Sequence, residues 1–196
     1  MKTSNAFTLV RILVAPVFFI LFFLPEWIPN LKILAPVSAY ILIPLFAFAE
    51  FTDYLDGHYA RKHNQVSDFG KIFDPFADVF LHLTTFFCCV LIGKMPAILF
   101  LLIVYREFSM NFIRMVAAKQ GVAIAARKGG KFKTVLYIFS AALCLFFVCL
   151  SRMGLDVSSF EPVLKVVELV LFTLCVVASY ASFIDYLFAF KDVLKK

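Results

Sequence analysis

Apolar residues in this chain come in long runs, without the strict alternation of a half-buried strand. Six stretches stand out, at 6–24, 33–51, 76–93, 95–118, 135–150 and 164–190. A helix needs about 20 residues to cross the hydrocarbon core of a bilayer, and most of these stretches are close to that length. The charge-free part of the fourth covers only Met95 to Tyr105, then continues through Arg106 and Glu107 to Ala118. That pattern predicts a helix whose polar half faces other helices. The first stretch follows Lys2 as a signal peptide would. No small-x-small cleavage site comes after it, and Pro25-Glu26-Trp27-Ile28-Pro29 reads instead as a turn at the membrane interface. The expectation is an all-α, polytopic membrane protein with six transmembrane helices. With no repeat, linker or low-complexity run, residues 1–196 form a single membrane domain.

Composition sharpens this picture. Hydrophobic residues make up 63% of the chain, against about 45–50% in soluble domains. Basic residues are unevenly placed. With the N-terminus inside, the cytoplasmic segments hold fourteen: Lys2, Arg11, Arg61, Lys62, Lys71, Arg114, Lys119, Arg127, Lys128, Lys131, Lys133, Lys191, Lys195 and Lys196. The opposite side holds four, Lys32, Lys94, Arg152 and Lys165. The positive-inside rule then predicts both termini in the cytoplasm. The net charge of +6 belongs mostly to that face, where it meets anionic headgroups or an anionic substrate. No basic stripe with exposed aromatics suggests a nucleic-acid partner. Cys88, Cys89, Cys144, Cys149 and Cys175 all fall in predicted helices without metal-ligand spacing, so they read as small core residues.

Three polar clusters interrupt the apolar sequence near the expected cytoplasmic ends of helices, which predicts that they converge on one cavity. The first reads Asp53-Tyr-Leu-Asp56-Gly57-His-Tyr-Ala60-Arg61, then eight residues, then Gly70-Lys-Ile-Phe-Asp74-Pro-Phe-Ala-Asp78. Asp53 and Asp56 are three apart, Asp74 and Asp78 four apart, and each spacing puts the pair on one helical face. An antiparallel hairpin would bring the faces together. Carboxylates near hydrocarbon are costly and mark function. Four together need a cation between them, and oxygen ligands suit Mg²⁺, Mn²⁺ or Ca²⁺. Gly57 and Ala60 let a ligand approach the backbone, Gly70 allows the turn, and Pro75 is expected in the first turn of the third helix. Arg61 offers a fork suited to phosphate oxygens. Carboxylates, metal and arginine together suit a diphosphate substrate.

This segment resembles the signature of the CDP-alcohol phosphatidyltransferases, D-x2-D-G-x2-A-R-x8-G-x3-D-x3-D, at every fixed position and spacing. The likeness takes in Asn5-Ala-Phe-Thr8-Leu-Val-Arg11 ahead of Pro16, and the six-helix layout. The resemblance implies that Asp53, Asp56, Asp74 and Asp78 ligate two Mg²⁺ or Mn²⁺ ions, and that Asp78 is also the catalytic base. It implies that Asp56, Gly57, Ala60, Arg61 and Ser67 contact the CDP moiety. Members commonly carry Lys after the last Asp, where this chain has Val79.

The other clusters bear on the acceptor. Arg106, Arg114, Lys131 and Lys133 would place positive charge near the carboxylates, favouring an acceptor that carries phosphate. The segments around Arg106-Glu107 and Gly130-Lys131-Phe132-Lys133-Thr134 look like those of family members acting on glycerol 3-phosphate. Positive-inside bias alone would also put Lys131 and Lys133 here, and Arg106 could serve a structural pair with Glu107. Gly129-Gly130-Lys131 is no P-loop, since Ala125 and Phe132 occupy two of its defining positions. His58, His63 and His82 are given no role.

The expected reaction joins CDP-diacylglycerol and sn-glycerol 3-phosphate at a multi-pass protein of the cytoplasmic (inner) membrane, with the site facing the cytoplasm. Inositol phosphate, serine or phosphatidylglycerol are alternative acceptors, and a homodimer is one assembly the sequence permits. A divalent-cation transporter is the rival from another class, but its acidic residues would sit near the bilayer midplane. An inactive membrane scaffold would leave the aspartate spacing unexplained.

Overall fold

The computed structural model describes residues 3–62, 68–122, 124 and 127–191, with side chains throughout these except at 3–7, 53–62, 68–72 and 128. Among the described residues there are six α-helices and no strand: α1 (Thr3–Trp27), α2 (Leu34–Lys62), α3 (Asp68–Leu91), α4 (Ala97–Lys119), α5 (Lys128–Arg152) and α6 (Glu161–Ala189), the last preceded by a 3₁₀ turn at Ser158–Phe160. The expected all-α class holds.

Five of the helices are long and apolar enough to cross a membrane, at Thr8–Trp27, Leu34–Thr52, Phe73–Leu91, Gly129–Arg152 and Ser158–Ala189. The exception is α4. It has 23 residues but carries Arg106, Glu107 and Arg114, which break its apolar run. Arg106 and Glu107 are buried in the bundle, while Ile98, Leu101, Tyr105, Phe108, Phe112 and Met115 are exposed. The helix therefore turns its charges inward and a mostly apolar face outward, as its sequence predicts.

Contacts at the two ends show the helices alternating in direction. At one end Thr8 of α1 meets Asp74 of α3, Glu50 of α2 meets His82 of α3, and Lys133 of α5 meets Glu107 of α4. At the other, Arg152 of α5 approaches Glu26 of α1, and Lys94 after α3 approaches Glu168 of α6. Helix α3 packs against α1, α4 and α5; α1 also packs against α2, and α6 against α4 and α5. Phe18, Phe22, Leu42, Phe86, Tyr137 and Phe172 join these helices in one core, which also takes in all five cysteines. All five cysteines are buried and free. At the carboxylate end, Ala15, Ala49 and Leu81 meet where small residues let α1, α2 and α3 come close.

Helix limits depart from the sequence reading in three places. Helix α1 runs through Pro25 to Trp27, so the interfacial turn falls later than expected. Helix α3 begins at Asp68, which puts Gly70 inside the helix and Pro75 two turns in, beyond the expected first turn. Pro75 has no N–H for the carbonyl four residues back. Membrane helices tolerate this where neighbouring groups satisfy the freed carbonyl. The connection at 63–67 lies outside the described residues. Helix α5 begins at Lys128, well before the apolar run at Val135, so Lys131 and Lys133 are helical. A Cβ on Gly130 would come within 3.2 Å of the Tyr186 hydroxyl, and one on Gly129 within 3.6 Å of Ser182 Cβ. The two glycines let the start of α5 approach α6 closely.

Candidate active site

Asp74, Asp78 and His82 recur every four residues on α3 and so share one face. The start of α1 lies against the first two. Thr8 Oγ1 donates to Asp74 Oδ1 at 2.6 Å, and the buried Arg11 guanidinium pairs with Asp78 Oδ1 through NH1. Contacts of this kind fix the orientation of both carboxylates. One turn further into the bundle, His82 Nε2 lies 3.2 Å from Glu50 Oε1 of α2.

Asp78 also lines a polar cavity of about 120 Å³ with Pro75, Val79, His82, Arg106, Arg114, Gly130, Lys131, Lys133, Thr134 and Tyr186. The expected convergence of the polar clusters is present for α3, α4 and α5, and α6 adds Tyr186. The cavity's four basic residues divide into two classes. Lys133 Nζ donates to Glu107 Oε1 at 2.7 Å, and Arg106 NH1 donates to Glu107 Oε2 at 2.9 Å. Arg106 further donates through Nε to the Ser179 carbonyl at 2.9 Å and through NH2 to Ser182 Oγ at 3.4 Å. Three of its five N–H donors are thus committed to protein. Tyr137 completes the group by donating to Glu107 Oε1 at 3.0 Å. Arg114 and Lys131 are differently placed. Among the described residues, Arg114 Nε is buried without a hydrogen-bond partner, its guanidinium lies 5.9 Å from the Tyr186 ring centroid, and Lys131 is exposed.

Asp53, Asp56, Gly57, Ala60 and Arg61 lie on the last turns of α2. Their side chains, and Ser67 altogether, lie outside the described residues. Among the described residues no three of His, Cys, Asp and Glu form a metal-binding group. Asp74 and Asp78 alone supply hard oxygen donors one helical turn apart, a donor type that fits Mg²⁺ or Mn²⁺. Asp53 and Asp56 would complete the set from α2.

Two apolar grooves open on the outside of the bundle. The larger, about 910 Å³, runs between α5 and α6 with the Arg127–Asp185 ion pair at its mouth. A 2.5 Å hydrogen bond from Nε to Asp185, with the carboxylate's charge, raises the Arg127 pKa above its ordinary value. The smaller groove, about 500 Å³, runs between α2 and α5 and ends at Glu50, one turn from Asp53.

The sequence reading includes Thr8 and Arg11 in the family likeness without a partner on α3, weighs Glu107 only as a structural pair for Arg106, does not single out Glu50 and gives His82 no role. The i, i+4 spacing of His82 from Asp78 was the available signal. Glu107 and Lys133 are 26 residues apart on different helices, a pairing that no local spacing announces.

The sequence matches the CDP-alcohol phosphatidyltransferase family over residues 1–178. It is 37% identical over 199 aligned positions to the CDP-diacylglycerol–glycerol-3-phosphate 3-phosphatidyltransferase of Treponema pallidum, covering 100% of this chain and 92% of that protein. Proteins of the same name from Bacillus subtilis and Rickettsia typhi are 37% and 33% identical. The first alignment covers 72% of this chain and 75% of the relative, the second 72% and 74%.

Proposed function

The chain belongs to the CDP-alcohol phosphatidyltransferase family, and on that premise we propose that it transfers a phosphatidyl group from CDP-diacylglycerol to sn-glycerol 3-phosphate. The products are phosphatidylglycerophosphate and CMP. A hydroxyl of the acceptor attacks the phosphorus that carries the diacylglycerol, the bond from that phosphorus to the CMP oxygen breaks, and the hydroxyl proton passes to Asp78. Asp53, Asp56, Asp74 and Asp78 would hold two Mg²⁺ or Mn²⁺ ions, which when bound offset the charge of the diphosphate and of the departing CMP. Thr8 and Arg11 orient Asp74 and Asp78 for this work. Asp56, Gly57, Ala60, Arg61 and Ser67 would take the cytidine diphosphate at the end of α2, facing the cytoplasm.

The observation that carries the reading is the cavity in which Asp78 meets Arg114 and Lys131. A proton acceptor and two cations that make no ion pair among the described residues face one space, as an acceptor bearing both a hydroxyl and a phosphate requires. Arg114 and Lys131 bind the phosphate directly. Lys133 and Arg106, held by Glu107, line the cavity as fixed positive charge that costs little reorganisation when the anion enters. The groove between α2 and α5 suits an acyl chain of the donor, because its inner end at Glu50 is one turn from Asp53.

Purified protein in lipid nanodiscs, given CDP-diacylglycerol, Mg²⁺ and a panel of acceptors, tests the reading. CMP should form with glycerol 3-phosphate and far more slowly with serine, inositol phosphate or phosphatidylglycerol. Equal rates with serine would remove the case for a phosphate-bearing acceptor.

A further inference from the structure

Glu50 is shared between two compartments. Its side chain lines the apolar groove between α2 and α5, and its contact partner His82 lines the polar cavity. The two side chains, 16% and 6% exposed, meet at 3.2 Å, yet among the described residues neither Glu50 Oε1 nor His82 Nε2 makes a well-aligned hydrogen bond. The neighbouring residues in sequence, Ala49 and Leu81, pack together on Ala15, so α1, α2 and α3 are in contact at this level. On its other side the His82 ring stands edge-on to Tyr137, with centroids 5.9 Å apart, and Tyr137 reaches Glu107. A packed path therefore leads from the wall of the groove through α3 to the cations of the cavity.

We propose that Glu50 and His82 are a positioning pair that sets the separation of α2 from α3, and through it the fit of the carboxylates around a divalent cation. The inference rests on reading those carboxylates as metal ligands and adds residues that the family signature does not contain. Asp53 lies three residues beyond Glu50 and Asp78 four before His82. At a rise of about 1.5 Å per residue, the pair acts about 4.5 Å and about 6 Å from the two ligand positions. Helices are rigid over one turn, so a change of spacing at the pair reaches the carboxylates nearly undiminished. Mg²⁺ requires near-octahedral oxygens at about 2.0–2.1 Å, whereas Ca²⁺ accepts irregular sets at about 2.3–2.6 Å. A loosened pair should therefore weaken Mg²⁺ more than Ca²⁺, which a general loss of stability would not do.

The test uses the full chain in nanodiscs, without turnover. Bound Mn²⁺ is measured by electron paramagnetic resonance and displaced with Mg²⁺ or Ca²⁺. Glu50→Ala and His82→Ala should each lower Mg²⁺ affinity about tenfold, the lower end of the range for residues behind metal ligands, and change Ca²⁺ affinity less than about threefold. The double variant should be no worse than either single one, because the two residues act as a unit. Glu50→Asp keeps the charge and shortens the reach, so it carries the same test should the alanine variants not fold, and it too should lose Mg²⁺ preference. Ratios of Mg²⁺ to Ca²⁺ affinity equal to wild type, or additive losses in the double variant, would overturn the pair. A wild-type protein that binds no Mn²⁺ would instead overturn the metal-site reading beneath it.

Discussion

Replacing Glu107 by Gln should be the most damaging single change to the buried charge cluster. The Glu107 side chain is 3% exposed and accepts from Lys133 at 2.7 Å, Arg106 at 2.9 Å and Tyr137 at 3.0 Å. A glutamine has almost the same shape, but one of its two acceptor atoms becomes a donating NH₂. One cation would then face a donor, and both Arg106 and Lys133 would lose their counter-charge. Breaking a buried ion pair in this way costs about 3–5 kcal/mol. Lys133→Met removes only one of the three bonds and leaves the carboxylate paired with Arg106, a loss of about 1.5–3 kcal/mol. At about 2–4 °C per kcal/mol for a chain of this size, Glu107→Gln should lower the melting temperature by roughly 6–20 °C and Lys133→Met by roughly 3–12 °C. Adding Lys133→Met to Glu107→Gln should recover part of the loss, since one stranded cation is gone. Circular dichroism during heating in detergent reads all three. A Glu107→Gln protein as stable as Lys133→Met, or a double variant less stable than Glu107→Gln, would refute the claim that Glu107 holds the cluster together.

Other outcomes follow from the same geometry. Arg114→Gln and Lys131→Gln should each raise KM for glycerol 3-phosphate about ten- to hundredfold, the worth of a charged hydrogen bond of about 1.5–3 kcal/mol, and leave KM for CDP-diacylglycerol nearly unchanged; steady-state kinetics with each substrate varied would check this. Arg11→Gln should lower kcat about tenfold through misorientation of Asp78 while binding of the CDP-lipid, measured by calorimetry, changes little. A water-soluble maleimide should label none of the five buried cysteines until the protein is denatured, as intact mass would report.

Much of this arrangement was legible in the chain. The apolar stretches locate all six helices, and the outward apolar face of α4 follows from where Arg106 and Glu107 interrupt its run. Helix limits were less legible because apolar content marks what lies in hydrocarbon, and helices extend past it. Lys128–Thr134 is polar and glycine-containing, yet it is helical because Gly129 and Gly130 pack against Ser182 and Tyr186 of α6. The aspartate spacing on α3 survives intact, and the helix runs on through Pro75 despite the lost backbone hydrogen bond. Partnerships between helices were not legible. The N-terminal likeness takes in Thr8 and Arg11 without giving either a partner, and the sequence leaves Arg106 open between a pair with Glu107 and a place beside Arg114, Lys131 and Lys133 at the phosphate. Only the packing of α4 against α3 and α6 and of α5 against α3 and α6 reveals which cations Glu107 has already engaged.

The most direct measurement follows labelled glycerol 3-phosphate into lipid in nanodiscs containing CDP-diacylglycerol and Mg²⁺, comparing wild type with Asp78→Asn. Wild type should form labelled phosphatidylglycerophosphate and CMP in equal amounts, and a chelator should stop it until Mg²⁺ or Mn²⁺ is restored. Asp78→Asn should still bind the CDP-lipid while its turnover falls about 10²–10⁴-fold, the usual contribution of a positioned base. Labelled lipid formed by Asp78→Asn at the wild-type rate, or by wild type in excess chelator, would contradict the account.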